Sequence, residues 1–369
     1  MSSPAALPPA EPVAIDERAA MNGRRIGFAR LTRPRQMNAL NVEMCDRLLV
    51  QLPAWASDES IACVVLDAEG DRAFCSGGDV VTMMRAVLAG GPRRHAWADR
   101  QFASEYRLVE MMFEYPKPLL TWAHGITMGA GLGMSVAGSH RVVSPGARLA
   151  MPETRIGLFP DVAATWFLDR MPAGVGPFVA LTGAVMGEHD ALEARLADWS
   201  IDLAQRDEVY ASLATLDWCG DAHDDAARLA AALATYATPV EQLVPGNLPE
   251  RRAALARIGQ ARTVTQFLAL VAHEARTDPW IDAQAASLAA GSPTSVHVGF
   301  EHFRRMRGRS LRETLAADLA LARMFTRGHD FPEGVRAALI DKDRQPKWAF
   351  RSVDAVPQAA VDAYFNGRT

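Results

Sequence analysis

The sequence predicts an α/β fold with largely parallel strand pairing, followed by a mainly helical C-terminal region. Three observations predict it. Compact apolar runs that read as strands alternate with stretches of helical spacing up to about residue 205. The order strand, glycine turn, helix occurs twice, over Ile61 to Leu88 and over Leu119 to Val136. From residue 206 to about 340 the chain is rich in Ala, Leu and Arg at helical periodicity, and strand signals fade. This divides the 369 residues into a flexible tail (1–15), an α/β core (16–205) and a helical region (206–369).

Each element has its own signal. Arg25 to Leu31 alternates apolar and polar residues and reads as a strand, and Val42 to Trp55 has helical spacing. Ile61 to Leu66 is a buried strand that ends at Asp67, and Asp79 to Leu88 begins a helix directly after Gly77-Gly78. A longer helix runs from about Ala96 to Phe113 and stops before Pro116. Leu119 to Ala123 is a second buried strand, and Gly129 to Val136 a helix opened by small residues. Arg141 to Val143 and Arg148 to Met151 are short strands.

Composition narrows the function classes. A net charge of −4 argues against a general nucleic-acid binder. No apolar run approaches the ~20 residues of a membrane span. Met1 to about Ile15, rich in Ala and Pro, lacks the order of a signal peptide, which favours a cytoplasmic protein with a flexible tail. Cys45, Cys63, Cys75 and Cys219 form no CxxC pair, so neither a disulfide framework nor a zinc site is suggested. Cys75 borders the first glycine turn, and packing outweighs a nucleophilic role because no His follows at a familiar spacing. The nine histidines show no metal spacing; His124 reads as structural, and His297 and His302 share a helix with basic neighbours.

Three stretches carry the chemistry. Phe74-Cys-Ser-Gly-Gly-Asp79 and Gly125-Ile-Thr-Met-Gly-Ala-Gly-Leu-Gly133 each place glycines at a helix start. There the first backbone N–H groups have no partner within the helix and can point at a polarised oxygen. Met151-Pro-Glu-Thr-Arg-Ile-Gly-Leu-Phe-Pro-Asp161 then sets two carboxylates, Glu153 and Asp161, in an apolar segment. Bared N–H groups beside buried acids suit the stabilisation of an oxyanion and proton movement next to it, hence an activated carbonyl substrate. On glycine content alone, both turns could serve only packing. Glu153 could cap a turn, and Asp161 could be the N-cap of a helix from Val162 to Met171. A dinucleotide fold is set aside, because the second turn has Met134 where a sixth-position glycine is needed and comes too late for a first βα unit.

Together these segments resemble the crotonase (enoyl-CoA hydratase/isomerase) superfamily, and within it the 3-hydroxyisobutyryl-CoA hydrolase branch. The resemblance covers roughly residues 24 to 350. It rests on Arg33-Pro34 with Asn38-Ala-Leu-Asn41, Ala73 to Asp79, His124 to Gly129 and Met151 to Asp161, continued by Ser292-Pro-Thr-Ser295, Arg327 to Arg336, Leu339 to Asp343 and Pro346-Lys-Trp348. The glycine turns are common to the superfamily. The Pro-Glu to Phe-Pro-Asp segment and the C-terminal motif are specific to the branch. Two departures stand out: Ala163-Ala164 replaces a Gly-rich run, and residues 205 to 290 match weakly.

The resemblance implies a crotonase-like fold of repeated ββα units and an acyl-CoA substrate in which coenzyme A is part of the substrate and no further cofactor is needed. It places the thioester oxygen between the N–H groups of Gly78 and Ala130, with Gly129 and Glu105 in contact with substrate. Glu105 on spacing alone is a solvated helix charge. Hydratases carry one glutamate at the position of Gly133 and another at that of Glu153. This chain keeps only Glu153 and adds Asp161. The implied reaction is hydrolysis of a short β-hydroxyacyl-CoA, as in valine catabolism, with Glu153 as nucleophile or base and Asp161 on the substrate hydroxyl. An enoyl-CoA hydratase or isomerase and a non-catalytic acyl-CoA binding protein are the alternatives. Arg33, Arg35 and Arg72 are candidates for the coenzyme A phosphates, each otherwise a surface charge. Self-association into a homo-oligomer is left open.

Overall fold

The computed structural model describes residues 11–172 and 174–367. The N-terminal half is built from nine strands: β1 (Val13–Ala19), β2 (Arg25–Leu31), β3 (Ile61–Ala68), β4 (Ala73–Cys75), β5 (Leu119–Ala123), β6 (Ile126–Met128), β7 (His140–Val143), β8 (Arg148–Ala150) and β9 (Trp199–Ser200). Between them lie α1 (Val42–Ser57), α2 (Val80–Leu88), α3 (Ala96–Phe113) and α4 (Ala130–Ala137). The large sheet has the order β1-β2-β3-β5-β7-β9, with β1 antiparallel to β2 and every later pair parallel. The small sheet, β4-β6-β8, is parallel throughout.

Each ββα unit spends its first strand on the large sheet and its second on the small one. β3-β4, β5-β6 and β7-β8 repeat this three times, so the expected ββα architecture is observed. The consequence is that the C-terminal ends of β4, β6 and β8 lie side by side. The first two ends carry the glycine turns. The third carries Pro152 and a 3-10 turn over Glu153–Ile156.

Strand β1 is a correction. Val13 to Ile15 was assigned to the tail, yet Val13 pairs with Leu31 and Ile15 with Ala29. Its outer residues are polar and exposed, so the alternation of an edge strand was masked by the Pro-rich stretch before it. The tail at residues 1–10 lies outside the described residues.

The large sheet is covered on both faces. Val64 and Leu66 of β3 face the main core, while Cys63 and Val65 face a second cluster with Trp122, Trp218 and Leu229. That second cluster is capped by α8 (Arg206–Leu213) and α9 (Ala222–Ala234). Before these come α5 (Ala164–Phe167), α6 (Val175–Thr182) and α7 (Glu188–Glu193). After them come α10 (Arg252–Ile258), α11 (Val264–Ala275), α12 (Pro279–Ala290), α13 (Pro293–Met306), α14 (Leu311–Arg327), α15 (Asp330–Val335) and α16 (Gln358–Asn366). The main core runs from Val13 to Val361, so the C-terminal helices pack into the same apolar interior as the sheets. No helix among the described residues is long and apolar enough to cross a membrane.

Candidate active site

The first wall is the end of β4. Asn38 is fully buried, with its side-chain amide donating to Ala73 O at 2.9 Å and its oxygen accepting from Arg33 N at 2.9 Å. Leu40 N donates to Gly77 O and Asp79 N to Leu40 O, both at 2.8 Å. This explains why the Arg33 to Asn41 segment and the first glycine turn belong to one motif: the former clamps the latter. Arg33 joins the clamp through Asp79 at 3.2 Å. Arg35 and Arg72 are exposed.

Gly77, at φ +109°, passes the end of β6 so closely that a Cβ on it would lie 3.3 Å from Met128 O. Gly129 has φ +53°, and Ala130 is the first residue of α4. Ala130 therefore has ordinary helical geometry and its methyl costs nothing in backbone strain. Among the described residues neither the Gly78 N–H nor the Ala130 N–H has an intramolecular acceptor.

Carboxyl groups face both turns. A Cβ on Gly78 would fall 3.0 Å from Glu105 Oε2, and one on Gly129 would fall 2.9 Å from Glu153 Oε1. Glu105 of α3 is buried, not solvated, and accepts from Gln101 Nε2 at 3.1 Å. Burial pushes its pKa up to about 7, against the hydrogen bond from Gln101. Glu153 is buried too, and among the described residues its Oε2 has no hydrogen-bond partner. Burial raises its pKa to about 8, with Glu105 adding to the rise. Asp161 is pushed well above the usual carboxylate range by burial and then by Glu153 and Glu105. Burial raises all three carboxyls, and the charges of Glu153 and Asp161 bear on each other so that this pair titrates together.

The capping readings fail. Pro152, not Glu153, holds the N-cap position of the 3-10 turn. Asp161 presents its main-chain carbonyl, not its carboxylate, to Ala164 N at 2.9 Å. Its carboxylate instead accepts from Tyr106 Oη at 2.5 Å. Tyr106 was missed: it lies 55 residues away in sequence, beside Glu105 on α3, and no local pattern links it to Asp161. Val162 and Ala163 have φ of +57° and +63°, which delays α5 to Ala164.

Gly133, the position of a second acid in hydratases, faces Val162. A Cβ there would fall 2.6 Å from Val162 Cγ1. Cys75 is inert, its thiol pushed up to about 12 by burial. His124 is buried, and burial lowers its pKa. Among the described residues no group of three or more His, Cys, Asp or Glu is arranged to hold a metal.

Comparison with known proteins places the chain in a family. Residues 26–365 match the sequence profile of the enoyl-CoA hydratase/isomerase family. A relative from Arabidopsis thaliana named 3-hydroxyisobutyryl-CoA hydrolase 1 is 34% identical over 91% of this chain and 87% of its own length. The mitochondrial 3-hydroxyisobutyryl-CoA hydrolase of Gallus gallus is 32% identical over 92% of this chain and 86% of its own. Among solved structures, an enoyl-CoA hydratase from Rhodobacter sphaeroides 2.4.1 superposes with a TM-score of 0.83 at 32% identity, covering 96% of this chain and 97% of that one. A carnitinyl-CoA dehydratase from Mycobacterium thermoresistibile gives 0.84 at 32% identity, covering 97% of each. The chain belongs to the enoyl-CoA hydratase/isomerase family and is similar, within it, to the 3-hydroxyisobutyryl-CoA hydrolases.

Proposed function

We propose that this protein hydrolyses coenzyme A thioesters of short β-hydroxy acids, 3-hydroxyisobutyryl-CoA foremost, to the free acid and coenzyme A. The observation that carries the reading is the buried pair Glu153 and Asp161 beside a Gly133 that offers no acid and whose side-chain space Val162 fills. The carbonyl oxygen lies between the Gly78 and Ala130 N–H groups, an oxyanion hole in which each donor is worth roughly 3 kcal/mol as charge develops. Glu153 either attacks the carbonyl carbon, expelling coenzyme A thiolate and leaving an anhydride that water opens, or takes a proton from attacking water. Asp161, held by Tyr106, binds the substrate hydroxyl. Glu105 faces Gly78, and Gly129 faces Glu153, so both border the same reacting groups. On this reading coenzyme A enters only within the substrate, no other cofactor is required, and the enzyme works in the cytoplasm at the thioester step of valine catabolism.

Asp161→Asn tests the assignment. Its kcat/KM on β-hydroxyacyl thioesters should fall about tenfold or more relative to acyl groups without the hydroxyl, because a site built around a hydroxyl discriminates strongly. Equal losses on both would move Asp161 out of substrate recognition.

Water addition or removal, the activity that the hydratase and dehydratase relatives are named for, is the second reading. Gly133→Glu restores an acid at the hydratase position, yet should yield no efficient hydration of crotonyl-CoA. The obstacle is Val162, whose Cγ1 would lie 2.6 Å from a Cβ at position 133. Overpacking of this kind typically costs ~1–3 kcal/mol, so a lowered melting temperature should accompany the absent activity. Efficient crotonyl-CoA hydration by this variant would mean that Gly133 alone separates the two activities.

A further inference from the structure

We propose that His302 and Asp318 form a positioning unit for Asp161, and that the C-terminal helices thereby set the acyl selectivity of the site. The substrate part of this inference rests on the hydrolase reading; the geometric part does not.

Asp161 begins a turn that L-residues avoid. Val162 is β-branched and sits at φ +57°, followed by Ala163 at φ +63°. Such a pair persists only where the surroundings over-determine it. Here they do so from two helices more than a hundred residues away. Ala163 N donates to Asp318 Oδ2 of α14 at 2.7 Å, and Asp318 Oδ1 meets His302 Nε2 of α13 at 2.6 Å. Ala163, Asp318 and His302 are fully buried. The His302 ring also stands edge-on to Phe159, with centroids 5.5 Å apart and planes at 90°. Gly299, one turn earlier on α13, leaves only enough room for Pro160, whose Cδ would be 3.2 Å from a Cβ there. The segment Phe159 to Ala163 is thus gripped on this side at three points. On the other side Tyr106 holds the Asp161 carboxylate.

A tie between α13 and α14 would need only one oxygen of Asp318. The second is spent on the main chain next to the active site. If the turn relaxed to negative φ, the Asp161 carboxyl would leave Tyr106, and Val162 would leave its place against Gly133.

The test is a double-mutant comparison. Asp318→Ala leaves the Ala163 N–H and the His302 Nε2 unpartnered, whereas Asp318→Asn can accept from Ala163 and donate to a neutral His302. Asp318→Leu fills the same volume without an acceptor and serves if the alanine variant does not fold. The ratio of kcat/KM for β-hydroxyacyl over unsubstituted acyl thioesters should fall about tenfold in Asp318→Ala or Asp318→Leu and return toward the parent value in Asp318→Asn. In an Asp161→Asn background, Asp318→Ala should lower that ratio no further. Equal losses on both substrates, or independent additive losses with Asp161→Asn, would overturn the proposal and leave Asp318 a general stabiliser. A parent enzyme that releases no thiol at all would sink the hydrolase reading instead. In that case amide exchange at Ala163 decides the inference: faster exchange in Asp318→Asn than in the parent is not expected, and unchanged exchange in Asp318→Ala would refute it.

Discussion

Glu153→Gln is expected to lower thiol release by at least ~10³-fold, within the range for loss of a positioned base or nucleophile, while substrate still binds. The amide matches the carboxyl in shape, and among the described residues Oε2 has no hydrogen-bond partner to lose. What disappears is an ionisable oxygen beside Gly129. The pH profile carries the same information. Because burial raises the Glu153 pKa to about 8, the reactive carboxylate is scarce at low pH and grows as pH rises. The kcat/KM of the parent should therefore climb with pH through the neutral range and level off above about 8. Glu105, raised to about 7 by burial, loses its proton within the same pH range. In Glu153→Gln the upper part of that limb should vanish along with the rate. Thiol release near the parental rate would remove Glu153 from the chemistry.

Ala130→Pro has the next largest expected effect. Ala130 opens α4, and proline is well accepted at a first helical position because the N–H there has no helical partner. The residue before it is glycine, which lacks the Cβ that proline rings press against. The variant should fold, with circular dichroism as the check, and lose one of the two bared donors. A loss of ~3 kcal/mol in transition-state stabilisation corresponds to about 10²-fold in kcat. Ala130→Gly keeps the N–H and should retain most activity. A folded proline variant with normal kcat would mean that this turn does not hold the oxyanion.

Much of the site was legible in the sequence because its parts are local. Two glycine turns, each directly after an apolar run, read as bared N–H groups at helix starts, while the choice of Gly78 and Ala130 as the two donors rests on the family resemblance. The apolar setting of Glu153 and Asp161 marked both as buried acids. Glu105 was the harder case: its spacing on α3 looked like a surface charge, and only the family resemblance argued otherwise. The structure buries it against Gly78 because α3 is wedged between α1 and α14.

What was not legible depends on contacts between distant segments. Tyr106 and Asp318 reach the Asp161 turn across 55 and 155 residues, and no window of sequence reports such a meeting. Positive φ at Val162 has no sequence signature either, since valine is among the residues least suited to it. His302 did carry a signal. Ser295, Val298, Gly299 and His302 recur at helical spacing on one buried face, whereas Arg304 points out to solvent. Reading only its basic neighbours obscured that face. Strand β1 escaped for a related reason, as the Pro-rich stretch ahead of it dominated the composition of the window.

The central claim is thioester hydrolysis directed by Glu153 and Asp161 with backbone N–H groups on the carbonyl oxygen. The most direct measurement is steady-state thiol release by the purified full chain over a panel of acyl-CoA esters, with hydration of crotonyl-CoA followed in parallel. The expected result is rapid release from 3-hydroxyisobutyryl-CoA, slower release from acyl groups lacking the β-hydroxyl, and negligible hydration. Efficient hydration of crotonyl-CoA without thiol release would contradict the account, as would saturable binding of every ester with no turnover.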